Sequence, residues 1–155
     1  MSTEPDLSKR IVEECRLGRG FKIGAAVIPV FHMLCGMAME LIFKALVVEQ
    51  EKEVNEAHHD LLNHASMAGL TYSGRDRELL KILTHSIVWA GRYPTPTSKR
   101  KNHMEELSKL FRDNLFDRVP LSSMTILHPN EALDWNSFNS MWSMAMTAYL
   151  QRIED

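Results

Sequence analysis

One apolar stretch limits what this chain can become. Ile23 to Glu53, IGAAVIPVFHMLCGMAMELIFKALVVEQEKE, is its longest hydrophobic run and carries neither glycine nor proline after Gly36. At 3.6 residues per turn, Phe31, Leu34, Cys35, Ala38, Leu41, Ile42, Ala45 and Val48 form one continuous apolar stripe. The opposite side, with Val30, Met33, Met37, Phe43 and Val47, is nearly as apolar. A helix apolar around most of its circumference is buried around most of it. The segment therefore reads as a central helix that others surround. Pro29, which lacks an amide donor, places the start of that helix near itself.

Glu40 and Lys44 interrupt the run four residues apart, acid first, the favourable order for a helical pair. They read either as a partly buried ion pair or as the charged edge of a pocket. They also argue against a membrane span. A window of about 20 residues must include both, and each charge at mid-bilayer costs about 2.5–3.5 kcal/mol.

The 155 residues suit a single domain, with residues 1–20 as a polar lead-in and one short helix. That helix, Asp6 to Leu17, carries Leu7, Ile11 and Cys15 as its inner stripe and stops at Gly18-Arg19-Gly20. Lys and Arg number 18 against 20 Asp and Glu, so no global charge favours nucleic acid. Cys15 and Cys35 are the only cysteines, and nothing requires a disulfide. The N-terminal MSTEPDLSKR lacks the apolar core of a signal peptide, so a cytoplasmic location is expected. Ten methionines are many for this size, and Met33, Met37, Met39, Met141, Met144 and Met146 fall on helices expected to pack inward.

Four more helices follow the central one. The first opens at His59 or Asp60, runs to about Ala68 and stops at Gly69. The next spans Arg75 to Arg92, with Leu79, Leu83, Ser86 and Ala90 inward, and the Pro-rich stretch after Tyr93 ends it. Asn102 and Glu105 resemble a capping box for a helix to about Phe116, with Leu107, Leu110, Phe111 and Leu115 inward. Val119 to Pro129 reads as a loop. The last helix runs from Glu131 or Asp134 to Ile153, with Phe138, Met141, Trp142, Ala145 and Tyr149 at core spacing. No strand is expected, and the fold class is an all-α, up-and-down bundle of five to six helices.

Seven histidines raise the question of a metal, yet there is no HExxH and no Glu-x-x-His repeat on separate helices. No metal and no cofactor are therefore expected. His59-Asp60 alone resembles the His-Asp pair of metal-dependent phosphohydrolases. Glu78, Lys81, His85, Trp89 and Arg92 fall within one sector of their helix. They read as a solvated face or as a lined groove with His85 as acid/base and Arg92 holding a phosphate. Arg92, Tyr93, Lys99, Arg100 and Lys101 make a local basic loop that could touch RNA or a nucleotide.

Three fragments together resemble the HEPN-domain family of small helical bundles. Ala38-Met39-Glu40-Leu41-Ile42-Phe43-Lys44-Ala45-Leu46 is similar to the family's core helix, His59-Asp60-Leu61 to a helix start, and Trp89-Ala90-Gly91-Arg92-Tyr93-Pro94 to a helix end. The resemblance covers roughly Phe31 to Pro96 and implies a HEPN-like bundle. It also implies a homodimer and a place in prokaryotic defence or toxin–antitoxin systems, often beside a nucleotidyltransferase. Many members are metal-independent ribonucleases in which an Arg precedes a His with four to six residues between them. Here Arg77 and His85 have seven residues between them, and His85 and Arg92 stand in reversed order.

The resulting expectation is a non-catalytic module that engages a protein partner, RNA or a nucleotide, as a homodimer through its long apolar helices. Glu40, Lys44, His59, Asp60, Glu78, Lys81, Trp89 and Tyr93 are its candidate binding residues. The alternative is a metal-independent ribonuclease using His85 and Arg92.

Overall fold

The computed structural model describes residues 9–11, 13–16, 23–53, 58–89, 101–122 and 124–154, apart from the side chains of 23–26, 89 and 101–104. Five helices and one hairpin follow in order: α1 (Ile23–Val48), α2 (Leu61–Met67), α3 (Gly74–Trp89), α4 (Lys101–Leu115), β1 (Phe116–Leu121), β2 (Met124–Pro129) and α5 (Trp135–Ile153). Before them, residues 9–11 and 13–14 are helical, but Ile11 and Cys15 are exposed rather than turned inward. Leu7, the remaining member of that expected stripe, and Leu17, the expected end of the helix, lie outside the described residues.

The axis of the core is α1. It packs against α2, α3 and α5, while α4 lies on α3 and carries the hairpin. Met39, Phe43, Leu46 and Val47 have no solvent exposure, and they meet Leu61, Leu79, Leu80, Leu83 and Met141 from the surrounding helices. Burying a side chain of this size contributes about 1.5–3 kcal/mol, which is why this face of α1 fixes where its neighbours sit. Pro29 lies inside α1, not at its start. It removes one donor from the ladder, and the nineteen residues beyond it, 30–48, continue the helix.

The helix ends are closed by local chemistry. Asp60 caps α2, its carboxylate accepting from the backbone N–H of Leu62 and Asn63 at 3.0 and 3.2 Å. The N–H of Leu61 donates to Thr84 Oγ1 at 3.1 Å, and that hydroxyl donates onward to the Leu80 carbonyl at 2.9 Å. Asp134 caps α5 through the N–H of Ser137 at 2.8 Å. At the far end of α1, Glu51 takes a left-handed φ of 55°. Glu51 N–H donates to Val48 at 2.8 Å and Lys52 N–H to Val47 at 3.3 Å, the paired bonds of a Schellman end. Gly69 closes α2 the same way with φ of 78°. Arg152 from α5 ties the two ends together, donating to Leu46 O at 3.2 Å and Ala68 O at 3.0 Å.

The stretch expected to be a loop is instead an antiparallel hairpin, with Val119 paired to Ile126 and Leu121 to Met124. Each strand of a two-stranded ribbon has an open edge, so Pro120 and Pro129 can be accommodated there. The turn uses Ser122 at φ of 52°, a conformation usually signalled by Asn or Gly.

Candidate functional site

Two features of α1 bear on function: a polar cluster at its middle and an exposed apolar face beside it. Glu40 is buried to 7% exposure, although a carboxylate is rarely buried unless paired. Two partners satisfy it. Lys44 Nζ donates to Oε1 at 2.6 Å, and His59 Nδ1 lies 3.1 Å from both carboxylate oxygens. Burial alone would push the Glu40 carboxyl up. The hydrogen bonds from Lys44 and His59, with their charges, outweigh it and hold the pKa below the usual value. The same contacts fasten the segment before α2 onto α1, since His59 precedes the Asp60 cap by one residue.

The carboxylate also orients the ring of His59. With Nδ1 turned to Glu40, Nε2 points away, and the side chain is 30% exposed. A carboxylate–imidazole pair of this kind can hold a proton donor or acceptor in place. Among the described residues, however, no third group completes a catalytic arrangement beside it. Nor do any three His, Cys, Asp or Glu side chains there gather as a metal would require.

The other candidates are placed separately. Glu78 and Lys81 pair with each other on α3 at 2.6 Å, half-exposed, as a solvated helical ion pair. His85 is half-buried on the same helix and engaged by its surroundings. Trp89 is the last described residue of α3, its side chain outside the described set, and Arg92 and Tyr93 lie outside the described residues altogether. Of the expected Asn102–Glu105 capping box, Glu105 is exposed on α4, which is helical from Lys101, and the Asn102 side chain lies outside the described set.

Two buried histidines were not singled out from sequence. His64, at 1% exposure, approaches the His58 carbonyl with Nε2 at 2.8 Å, while its Nδ1 has no hydrogen-bond partner among the described residues. Burial lowers the pKa of His32, against an opposing hydrogen bond to the Leu133 backbone. Cys35 is buried as expected, and its thiol is pushed up to about 11.

The apolar face is the larger departure from the sequence reading. Val27, Val30, Leu34, Met37, Leu41 and Val48 are all exposed, Leu41 to 68%. The stripe that holds Leu34, Leu41 and Val48 was expected inside. Neighbouring helices instead cover the side built on Cys35, Met39, Ile42, Phe43, Leu46 and Val47. Met37 and Met144, also expected inside, are exposed as well. By length and composition Val27–Val48 could cross a membrane, but half of it is buried against protein, so a span would require stripping α1 from its own core. A smaller apolar surface lies on the hairpin, where Val119, Leu121, Met124 and Ile126 share one exposed face.

No family model matches the chain, and no curated protein or solved structure is significantly similar to it.

Proposed function

We propose that this chain is a HEPN-like helical interaction module that works by docking a protein partner on the exposed face of α1, without chemistry of its own. The observation that carries this is the row of exposed aliphatic side chains on the most deeply buried helix of the fold. Contiguous apolar surface of this kind marks interaction sites in soluble proteins. The order of features supports the family reading: Glu40 and Leu41 lie within a long core helix, Asp60 opens the next helix, and Trp89 lies on the one after. The hairpin is an addition outside the segment that carries the resemblance. A cytoplasmic setting in prokaryotic defence or toxin–antitoxin systems, beside a nucleotidyltransferase, belongs to the same proposal.

Methionine oxidation tests it without altering the chain. Met37 reports on the α1 face, and Met124 and Met144, exposed to 61% and 44%, are internal references elsewhere on the surface. In extracts of cells that make the protein, peroxide should convert Met37 to sulfoxide much more slowly than both references. Oxidation of all three at similar rates would refute docking on α1.

A further inference from the structure

A two-stranded ribbon is marginal in water unless it packs on something, and α4 is what the hairpin has. Leu115 runs directly into Phe116, so the hairpin springs from the end of that helix. Its base is fastened there: Asn130 N–H donates to the Leu115 carbonyl at 2.9 Å, and Arg118 donates to Asp113 at 3.2 Å. β1 is the strand that packs on α4. A groove of about 440 Å³ is left between hairpin and helix, lined by Leu107, Ser108, Phe111, Arg112, Phe116 and Leu127. Phe116 and Leu127 belong to the face of the hairpin opposite Val119 and Ile126. On the helix, Leu107 and Phe111 form one row, and Ser108 and Arg112 the next, each pair four residues apart. The result is a set of apolar walls with a polar margin that holds one cation.

That cation is uncompensated. Arg118 is paired with Asp113, whereas Arg112 has neither an ion-pair nor a hydrogen-bond partner among the described residues. We propose that the groove binds a small amphipathic carboxylate, an alkyl acid of about eight to ten carbons, a size that a groove of this volume suits. Its chain lies between Phe111, Phe116 and Leu127, and its head meets Arg112. Small-molecule sites are commonly of this kind, mostly apolar with a few polar groups that fix orientation. A guanidinium offers a carboxylate two parallel N–H donors, and Ser108 adds a hydroxyl one turn earlier on the same row. Inorganic phosphate would leave the apolar walls wet, and a neutral hydrocarbon would leave the guanidinium unanswered; a ligand with both parts satisfies each. Filling the groove also gives the hairpin a second surface to pack on, so binding tightens the hairpin. The site is separate from the α1 face and does not depend on what docks there.

Octanoate is the probe, titrated calorimetrically into the full chain, with octanol as its neutral counterpart. Octanoate should bind at one site with a Kd below about 1 mM, and octanol about tenfold more weakly or worse. Arg112 and Ser108 are both exposed on α4, so substitutions there leave the core intact. Arg112→Gln should bring octanoate down to the affinity of octanol. Ser108→Trp, which fills the groove, should remove both, with helical circular dichroism retained. Amides of residues 116–121 and 124–129 should exchange several-fold more slowly with octanoate present. Leu41→Glu, on the α1 face, should leave the titration unchanged. Absence of octanoate binding overturns the site. Binding that survives Ser108→Trp, or that is lost in Leu41→Glu, places the acid elsewhere and overturns it as well. Equal affinity for octanoate and octanol overturns the role of Arg112 and with it the ligand class.

Discussion

Gly36 lets α1 lie directly against α3, and adding one methyl group there tests how the core is held together. A Cβ at position 36 would lie 2.7 Å from Ile87 Cγ1 and 2.9 Å from the Leu83 carbonyl oxygen. Comfortable carbon contacts begin near 3.5 Å, so the two helices would have to separate by the better part of an ångström. Neither neighbour yields easily. Cγ1 is the first branch of a β-branched side chain, and the carbonyl is backbone. Overpacking of this kind costs about 1–3 kcal/mol, against a gain of up to about 1 kcal/mol from replacing glycine within a helix. Gly36→Ala should therefore destabilise by about 1–2 kcal/mol in urea unfolding followed by circular dichroism. Ile87→Ala should relieve part of the clash, so the double variant should be more stable than the sum of the single effects by at least about 0.5 kcal/mol. A neutral or stabilising Gly36→Ala would refute the close packing of α1 on α3.

Glu51→Gly should stabilise the chain by about 1 kcal/mol in the same assay, because glycine adopts the left-handed end of α1 without the Cβ penalty. Thr84→Val should cost about 1–2 kcal/mol, since the buried-side N–H of Leu61 loses its acceptor. Acid should destabilise the fold in two stages, read as the urea midpoint against pH. The lowered pKa of His32 gives stability that is present above its ordinary value of 6.5 and lost as pH falls below it. The lowered pKa of Glu40 does the same from its ordinary value of 4.5 downward, and His32→Gln should remove only the first stage. Total RNA incubated with the protein in EDTA should stay intact; cleavage abolished by His85→Ala would instead bring back the ribonuclease reading.

Helix positions were legible because periodicity and punctuation agreed. Asp60 and Gly69 mark the two ends of α2 in sequence and in structure, and Leu79, Leu83 and Ser86 face inward on α3 as their spacing implies. The sidedness of α1 was not legible. When both faces are apolar, hydropathy cannot say which one the neighbours cover, so burial around most of α1 is what the sequence implies, whereas Leu34 and Leu41 are exposed. The hairpin escaped because Ser122 occupies a turn position where glycine or asparagine would have announced it, and because prolines read as breakers away from sheet edges. The Glu40–Lys44 pair followed from helical spacing. Its third member, His59, is nineteen residues from Glu40 and could be joined to it only by the folded chain. Similarly, Arg152 reaches carbonyls of α1 and α2 over separations that no local pattern encodes.

Amide hydrogen exchange along α1 bears most directly on the claim that this helix is the axis of the fold. The amides of Met39 to Val47 should be the slowest in the chain, opening only with global unfolding and showing the same free energy as denaturant titration. Exchange of that segment at rates close to those of the exposed hairpin would contradict it.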